Sequence, residues 1–226
     1  MAISDDKRVR IIVGHYGSGK SEFSVNYAIK LREAGNKVAI ADLDVVNLYF
    51  RSREKTEYLE SLGIRFIASS IKADAVDIPS ISGEVLAPLT DESYEYVMDI
   101  GGDHVGARTL GRYNDLLVEG KYDMFFVLNA NRPETMSVDS TVQYLRKIEG
   151  TSRKRITGIV NNTHMLSYTT AEDIIRGNKL AREVAIATDI PVKYNVVRED
   201  LVEEVTKAGI IDVFPVKIYM REDWMV

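Results

Sequence analysis

Short β-branched runs alternate with longer amphipathic stretches along nearly the whole chain, and that rhythm restricts it to folds built on a mostly parallel sheet. Val9–Val13 reads as a buried strand, Glu22–Glu33 as a helix closed by Gly35, and Lys37–Ala41 as the next strand. A helix over Glu54–Leu62 with Gly63 behind it and a strand at Ile64–Ile67 complete a third β/α unit. The beat resumes with strands at Tyr96–Asp99, Met124–Leu128, Ile156–Val160 and Val192–Val196. Helices are expected near Ala107–Glu119, Ser137–Glu149, Ala171–Ala187 and Asp200–Ala208. Only Ala73–Thr90 interrupts the pattern, where Pro79, Gly83 and Pro88 are spread among apolar residues, and it reads as a surface excursion with a turn or short helix able to meet a partner, or equally as an ordinary long connection.

The expected fold is therefore α/β, a doubly wound, mostly parallel β-sheet flanked by helices, with residues 1–226 forming one domain. Composition narrows what such a domain can do. The chain has no cysteine, which excludes a disulfide frame, a thiol nucleophile and a thiolate metal or iron–sulfur site made by this chain alone. Its formal net charge of −5 argues against a surface that tracks DNA. No apolar run approaches the roughly 20 residues of a membrane helix, and Met1–Asp6 has neither a basic leader nor an apolar core, so a cytoplasmic location is expected.

Directly after the first strand the chain reads Gly14-His15-Tyr16-Gly17-Ser18-Gly19-Lys20-Ser21, which satisfies GxxxxGK followed by Ser or Thr. Glycines let a backbone curl around a phosphate with its N–H groups inward, at the positive end of the following helix. Lys20 would reach the β and γ phosphates, and the Ser21 hydroxyl is placed to hold Mg²⁺. Gly17, Ser18, Gly19, Lys20, Ser21 and Glu22 form the expected nucleotide-binding run.

Two strand ends carry acids, Asp42-Leu43-Asp44 after the second strand and Asp99-Ile100-Gly101-Gly102 after the fourth. Open α/β sheets bind ligands at the carboxyl ends of their strands, so both acids should face the phosphate loop. An acid behind an apolar strand suits a carboxylate that holds Mg²⁺ through its waters. The pair Gly101-Gly102 would let backbone approach a γ phosphate and move when it leaves. A helix cap or turn is the alternative for an isolated strand-end acid, and Asp42 is equally well explained as a structural residue.

These motifs resemble the MinD/ParA-type P-loop NTPases, to which the arsenite-pump and the hydrogenase and nitrogenase maturation ATPases are related, and a poorly characterised subset of that group in particular. Pro133-Glu134-Thr135-Met136-Ser137 looks like the group's Pro-Glu-x-x-Ser helix opening, and Val160-Asn161-Asn162 falls where its base-contacting Asn lies. Ile190-Pro191-Val192 through Arg198-Glu199-Asp200 resembles the strand and loop that close over the base. The resemblance implies that Asp44 positions the attacking water, that Asp42 and Asp99 support Mg²⁺, and that Asn161 or Asn162 contacts the base. It favours ATP over GTP, because Asn162, Thr163, His164 and Met165 after Asn161 include no acid to read a guanine edge. Many relatives carry a signature Lys after the first glycine that reaches across a homodimer; this chain has His15 there, which weakens the expectation of such a dimer.

Arg51, Arg53, Arg108 and Arg112 are candidate phosphate-stabilising arginines, with surface charge as the alternative. His104, two residues beyond Gly102, is a candidate sensor of the γ phosphate, with a merely solvated or hydrogen-bonded loop histidine as the commoner alternative, and His164 is in the same position. The tail Val216–Val226 mixes apolar and charged residues and suits packing against the domain or an oligomer partner better than a membrane surface. There is no GxSxG element, and the three histidines lack metal-ligand spacing. The expected function is an Mg²⁺-dependent ATP-binding protein and slow ATPase that switches a partner protein. The alternatives are a small-molecule kinase or ligase on the same fold and a nucleotide-binding module without turnover.

Overall fold

The computed structural model describes residues 3–44, 53–68, 83–102 and 104–219. Eight strands, β1 (Val9–Gly14), β2 (Val38–Leu43), β3 (Arg65–Ala68), β4 (Glu95–Ile100), β5 (Tyr122–Leu128), β6 (Gly158–Asn161), β7 (Val192–Arg198) and β8 (Val213–Val216), form one sheet in the order β3-β2-β4-β1-β5-β6-β7-β8. Every neighbouring pair is parallel. The chain winds outward from β1 to β2 and β3, returns to β4, and then crosses to β5, so the crevice at the carboxyl end of β1 is the switch point of the sheet.

Among the described residues, seven α-helices lie between the strands: α1 (Lys20–Glu33), α2 (Arg53–Ser61), α3 (Gly83–Thr90), α4 (His104–Arg108), α5 (Val138–Ser152), α6 (Ala171–Thr188) and α7 (Val202–Lys207). Strand residues alternate between two cores, as a period of two requires when both faces are covered. Ile11, Val13, Tyr96, Met98, Met124 and Phe126 pack with Leu145 of α5 and Val184 of α6. Ile12, Ile40, Val97, Phe125 and Val127 pack on the opposite side with Phe23, Tyr27 and Leu31 of α1 and Leu59 of α2.

Two elements differ from the sequence expectation. The helix expected over Ala107–Glu119 is the short α4 followed by a 3₁₀ turn at Thr109–Tyr113. Gly106 and Gly111 weaken an α-helix there, and Leu110 and Tyr113, three apart and both buried, suit a tighter turn. The unexpected β8 contains Pro215, which a central strand would not tolerate; β8 is an edge strand paired only with β7. Of the expected excursion, residues 83–90 are the helix α3, while residues 73–82 lie outside the described residues, as do Arg51, the side chains of Arg53 and His104, and tail residues 220–226.

Candidate functional site

Gly14 ends β1 at φ 145°, and a β-carbon there would come within 2.4 Å of Val127 O, so only glycine fits where the chain leaves the sheet. Gly17 and Gly19 take φ of 75° and 79° and turn the loop back into α1. The loop's carbonyls are held from outside. Arg132 Nε donates to Gly17 O at 3.1 Å and Asn129 Nδ2 to the same oxygen at 3.3 Å, while Asn162 Nδ2 donates to Ser18 O at 2.8 Å. Gly19 stands at the start of α1 and no side chain caps the helix, so an anion at this end would complete it.

The strand-end acids meet this loop. In the β2–β4 register Asp42 lies opposite Asp99, and Asp42 Oδ1 accepts from Asp44 N–H at 3.1 Å, which turns Asp44 into the crevice. Asp44 lies against Gly101, where a β-carbon would come within 3.0 Å of its Oδ1. A β-carbon on Gly102 would meet Lys20 Nζ at 2.9 Å and Tyr16 N at 2.8 Å, so the segment after β4 sits directly on the phosphate loop. Asp99 is buried; burial lifts its carboxyl to about 6, against the pull of the Lys20 ammonium and a hydrogen bond from Ser21. Its Oδ1 is a buried acceptor with no hydrogen-bond partner among the described residues, and the Ser21 hydroxyl bonds the same carboxyl. An orphaned acceptor beside a Ser hydroxyl is the donor set that the waters of a hydrated Mg²⁺ would satisfy.

A cavity of about 210 Å³ opens at this edge. Its polar end is Gly17, Gly19, Lys20, Ser21 and Asp44, and its apolar end is Leu166, Ile174, Val196, Val216 and Ile218. Among the expected site residues, Gly17, Gly19, Lys20, Ser21, Glu22, Asp44 and Asn162 line it. Ser18 is buried beneath the loop, and Asp42 and Asp99 stand behind the lining.

Asn161 is not brought to the cavity. It is fully buried, donating to Ile174 O and Asn195 Oδ1 and accepting from Thr163 N–H and Oγ1, so its amide is spent on the domain interior. The neighbour Asn162 is the one that reaches the lining. Arg108 and Arg112 are exposed and away from it. His164 lines the cavity rather than standing in solvent. His15 faces its own chain, edge-on to Tyr144 with centroids 5.3 Å apart and Nε2 3.4 Å from Glu134 Oε2.

Arg132 was missed: it borders the cavity braced on Gly17 O, and proximity to Pro133 was its only signal in sequence. Arg198, from the segment expected to close over the base, also borders the cavity, braced on Ser167 O at 2.8 Å and on Asp200. Val216 and Ile218 come from a tail whose contacts no local pattern reveals.

No known family model matches the chain, and no curated protein matches it either. Solved structures do. The chain is similar to chloroplast FtsY from Physcomitrella patens, with a TM-score of 0.57, 19% identity and 82% of this chain aligned to 56% of that one. FtsY from Thermotoga maritima gives 0.57 and 19%, with 82% and 60% covered. The fold is that of a P-loop NTPase. FlhF complexed with GMPPNP and Mg²⁺ aligns at 0.50 and 17%, covering 83% of this chain and 64% of that one. The chain thus spans less than two thirds of the length of these structures.

Proposed function

We propose that the chain is an Mg²⁺-dependent ATP-binding protein of the MinD/ParA-like kind, a slow ATPase that switches the binding of a partner protein. One observation carries this reading: the phosphate loop, Lys20, Ser21 and Asp44 line the polar end of a single cavity whose other end is apolar. A nucleoside triphosphate needs that division. The β and γ phosphates would lie on the loop amides and Lys20 Nζ, and the base would lie against Leu166, Ile174 and Val196 near Asn162.

Mg²⁺, when bound, supplies positive charge at the β and γ oxygens. Ser21 would hold it directly, and Asp99, with Asp42 beside it, would accept hydrogen bonds from its waters. Asp44 would orient the attacking water in line with the γ phosphorus, and Lys20 would stabilise the charge that develops as the bond to the leaving diphosphate breaks. Gly102, packed on Tyr16 and Lys20, would have to shift to admit a γ phosphate, which links occupancy to the segment after β4.

ATP is preferred over GTP because no acid follows Asn161 at the position that reads guanine. Structures of similar fold have been solved with GDP and with GMPPNP, so GTP is the competitor to be tested beside it. Phosphate release from ATP without an added acceptor is expected. Asp44→Ala should lower turnover at least about 100-fold while leaving ATP affinity within a few-fold. Turnover that appears only with a metabolite acceptor, or that survives Asp44→Ala, contradicts the reading.

A further inference from the structure

The residues after β8 do not leave the sheet edge. Lys217 and Tyr219 are held by Asn26 and Glu22 of α1, the helix that begins with Lys20 and Ser21. Asn26, 4% exposed, takes Lys217 by both peptide groups: its Nδ2 donates to Lys217 O at 2.9 Å and its Oδ1 accepts from Lys217 N–H at 2.9 Å. One turn nearer the phosphate loop, Glu22 Oε1 accepts from Tyr219 N–H at 2.6 Å. The Tyr219 ring stacks on Tyr58 of α2, with centroids 5.8 Å apart. An asparagine buried within a helix carries a desolvation cost unless its amide is paired, and here the amide makes the same two bonds that a neighbouring strand would make.

Val216, just before the first anchor, and Ile218, between the two, line the cavity together with Leu166 and Ile174. We propose that Val216–Tyr219 is a fixed strap forming one wall of the base end of the site, and that Asn26 is the positioning residue that sets it. The inference rests on the nucleotide reading above. Because Asn26 and Glu22 stand on the helix that presents Lys20 and Ser21, the strap holds the base wall at a set distance from the phosphate loop. Ligands with a base and ligands with phosphates alone therefore depend on it differently.

The test is the affinity of the full chain, with Mg²⁺, for ATP and for inorganic tripolyphosphate. Asn26→Ala is expected to weaken ATP about tenfold, from the loss of two hydrogen bonds that position the wall, and to leave tripolyphosphate within about twofold. Ile218→Asp, at a half-exposed position that the fold does not need, puts a carboxylate in the wall and should show the same selective loss even if Asn26→Ala fails to fold. Equal ATP affinity in the variants and the unsubstituted chain, or equal loss for both ligands, overturns the strap. A substitution-free chain that binds neither ligand overturns the nucleotide reading itself, so the two failures are told apart.

Discussion

At the residue scale, Asp99 is a buried carboxyl under opposing influences. Its carboxyl moves from the ordinary 3.8 to about 6 because burial penalises the charge more than Lys20 and Ser21 favour it. A carboxyl with a raised folded value costs no stability below about 4, and the cost grows as pH rises through 6, where the native state must bury an anion. Asp99→Asn should therefore stabilise the ligand-free protein by about 2 kcal/mol at pH 8, with the gain shrinking towards pH 4. Thermal unfolding at both pH values checks this, and a gain independent of pH contradicts it. The same variant should lose the benefit of Mg²⁺ on ATP binding, since the amide nitrogen cannot accept from a metal-bound water. Motif spacing put Lys20, Ser21, Asp44 and Asp99 at one edge of the sheet, where the structure has them, because loop geometry and strand ends fix where they stand. The same spacing failed to separate Asn161 from Asn162, because which of two adjacent amides turns inward depends on partners distant in sequence, here Ile174 and Asn195.

At the scale of elements, the central sheet was legible because its strands are buried on both faces and read as continuous apolar runs bounded by glycines and acids. Edge elements were not. β8 is four residues long with an internal proline, and the strap beyond it has no hydrophobic period, since its position comes from Asn26 and Glu22. A comparable tie secures the other end of the chain. Asp6, with a fully buried side chain, accepts from Tyr27 Oη of α1 at 2.5 Å and from Tyr194 Oη of β7, and pairs with Lys193 Nζ at 2.8 Å. Burial and the neighbouring Asp6 carboxylate hold the Tyr194 hydroxyl protonated well past its ordinary range, and burial does the same for Tyr27. Asp6→Ala leaves an ammonium and two hydroxyls without this partner and should cost about 3 kcal/mol, read as a lower urea midpoint. A midpoint unchanged from the parent chain would show that Asp6 does not join the N-terminal segment to the sheet.

At the scale of the whole molecule, strand order explains why one cavity gathers residues from so much of the chain. β1 lies between β4 and β5, so the loop after it borders segments that follow β2 and β4 on one side and β5 and β6 on the other. The chain has no cysteine and so offers no thiolate of its own to a metal. Among the described residues no helix is long and apolar enough to cross a membrane. His15, at the position where the resembling group carries its signature lysine, is turned to Glu134 and Tyr144 of its own chain. The proposed function requires the cavity to bind a nucleoside triphosphate through Lys20 and the phosphate loop. Calorimetric titration with Mg²⁺ and ATP, run in parallel with GTP and with folded Lys20→Ala, tests this. One ATP bound per chain, weaker binding of GTP, and at least about 100-fold loss of ATP affinity in Lys20→Ala are expected; no heat of binding, or the same affinity with and without Lys20, would contradict nucleotide binding at this site.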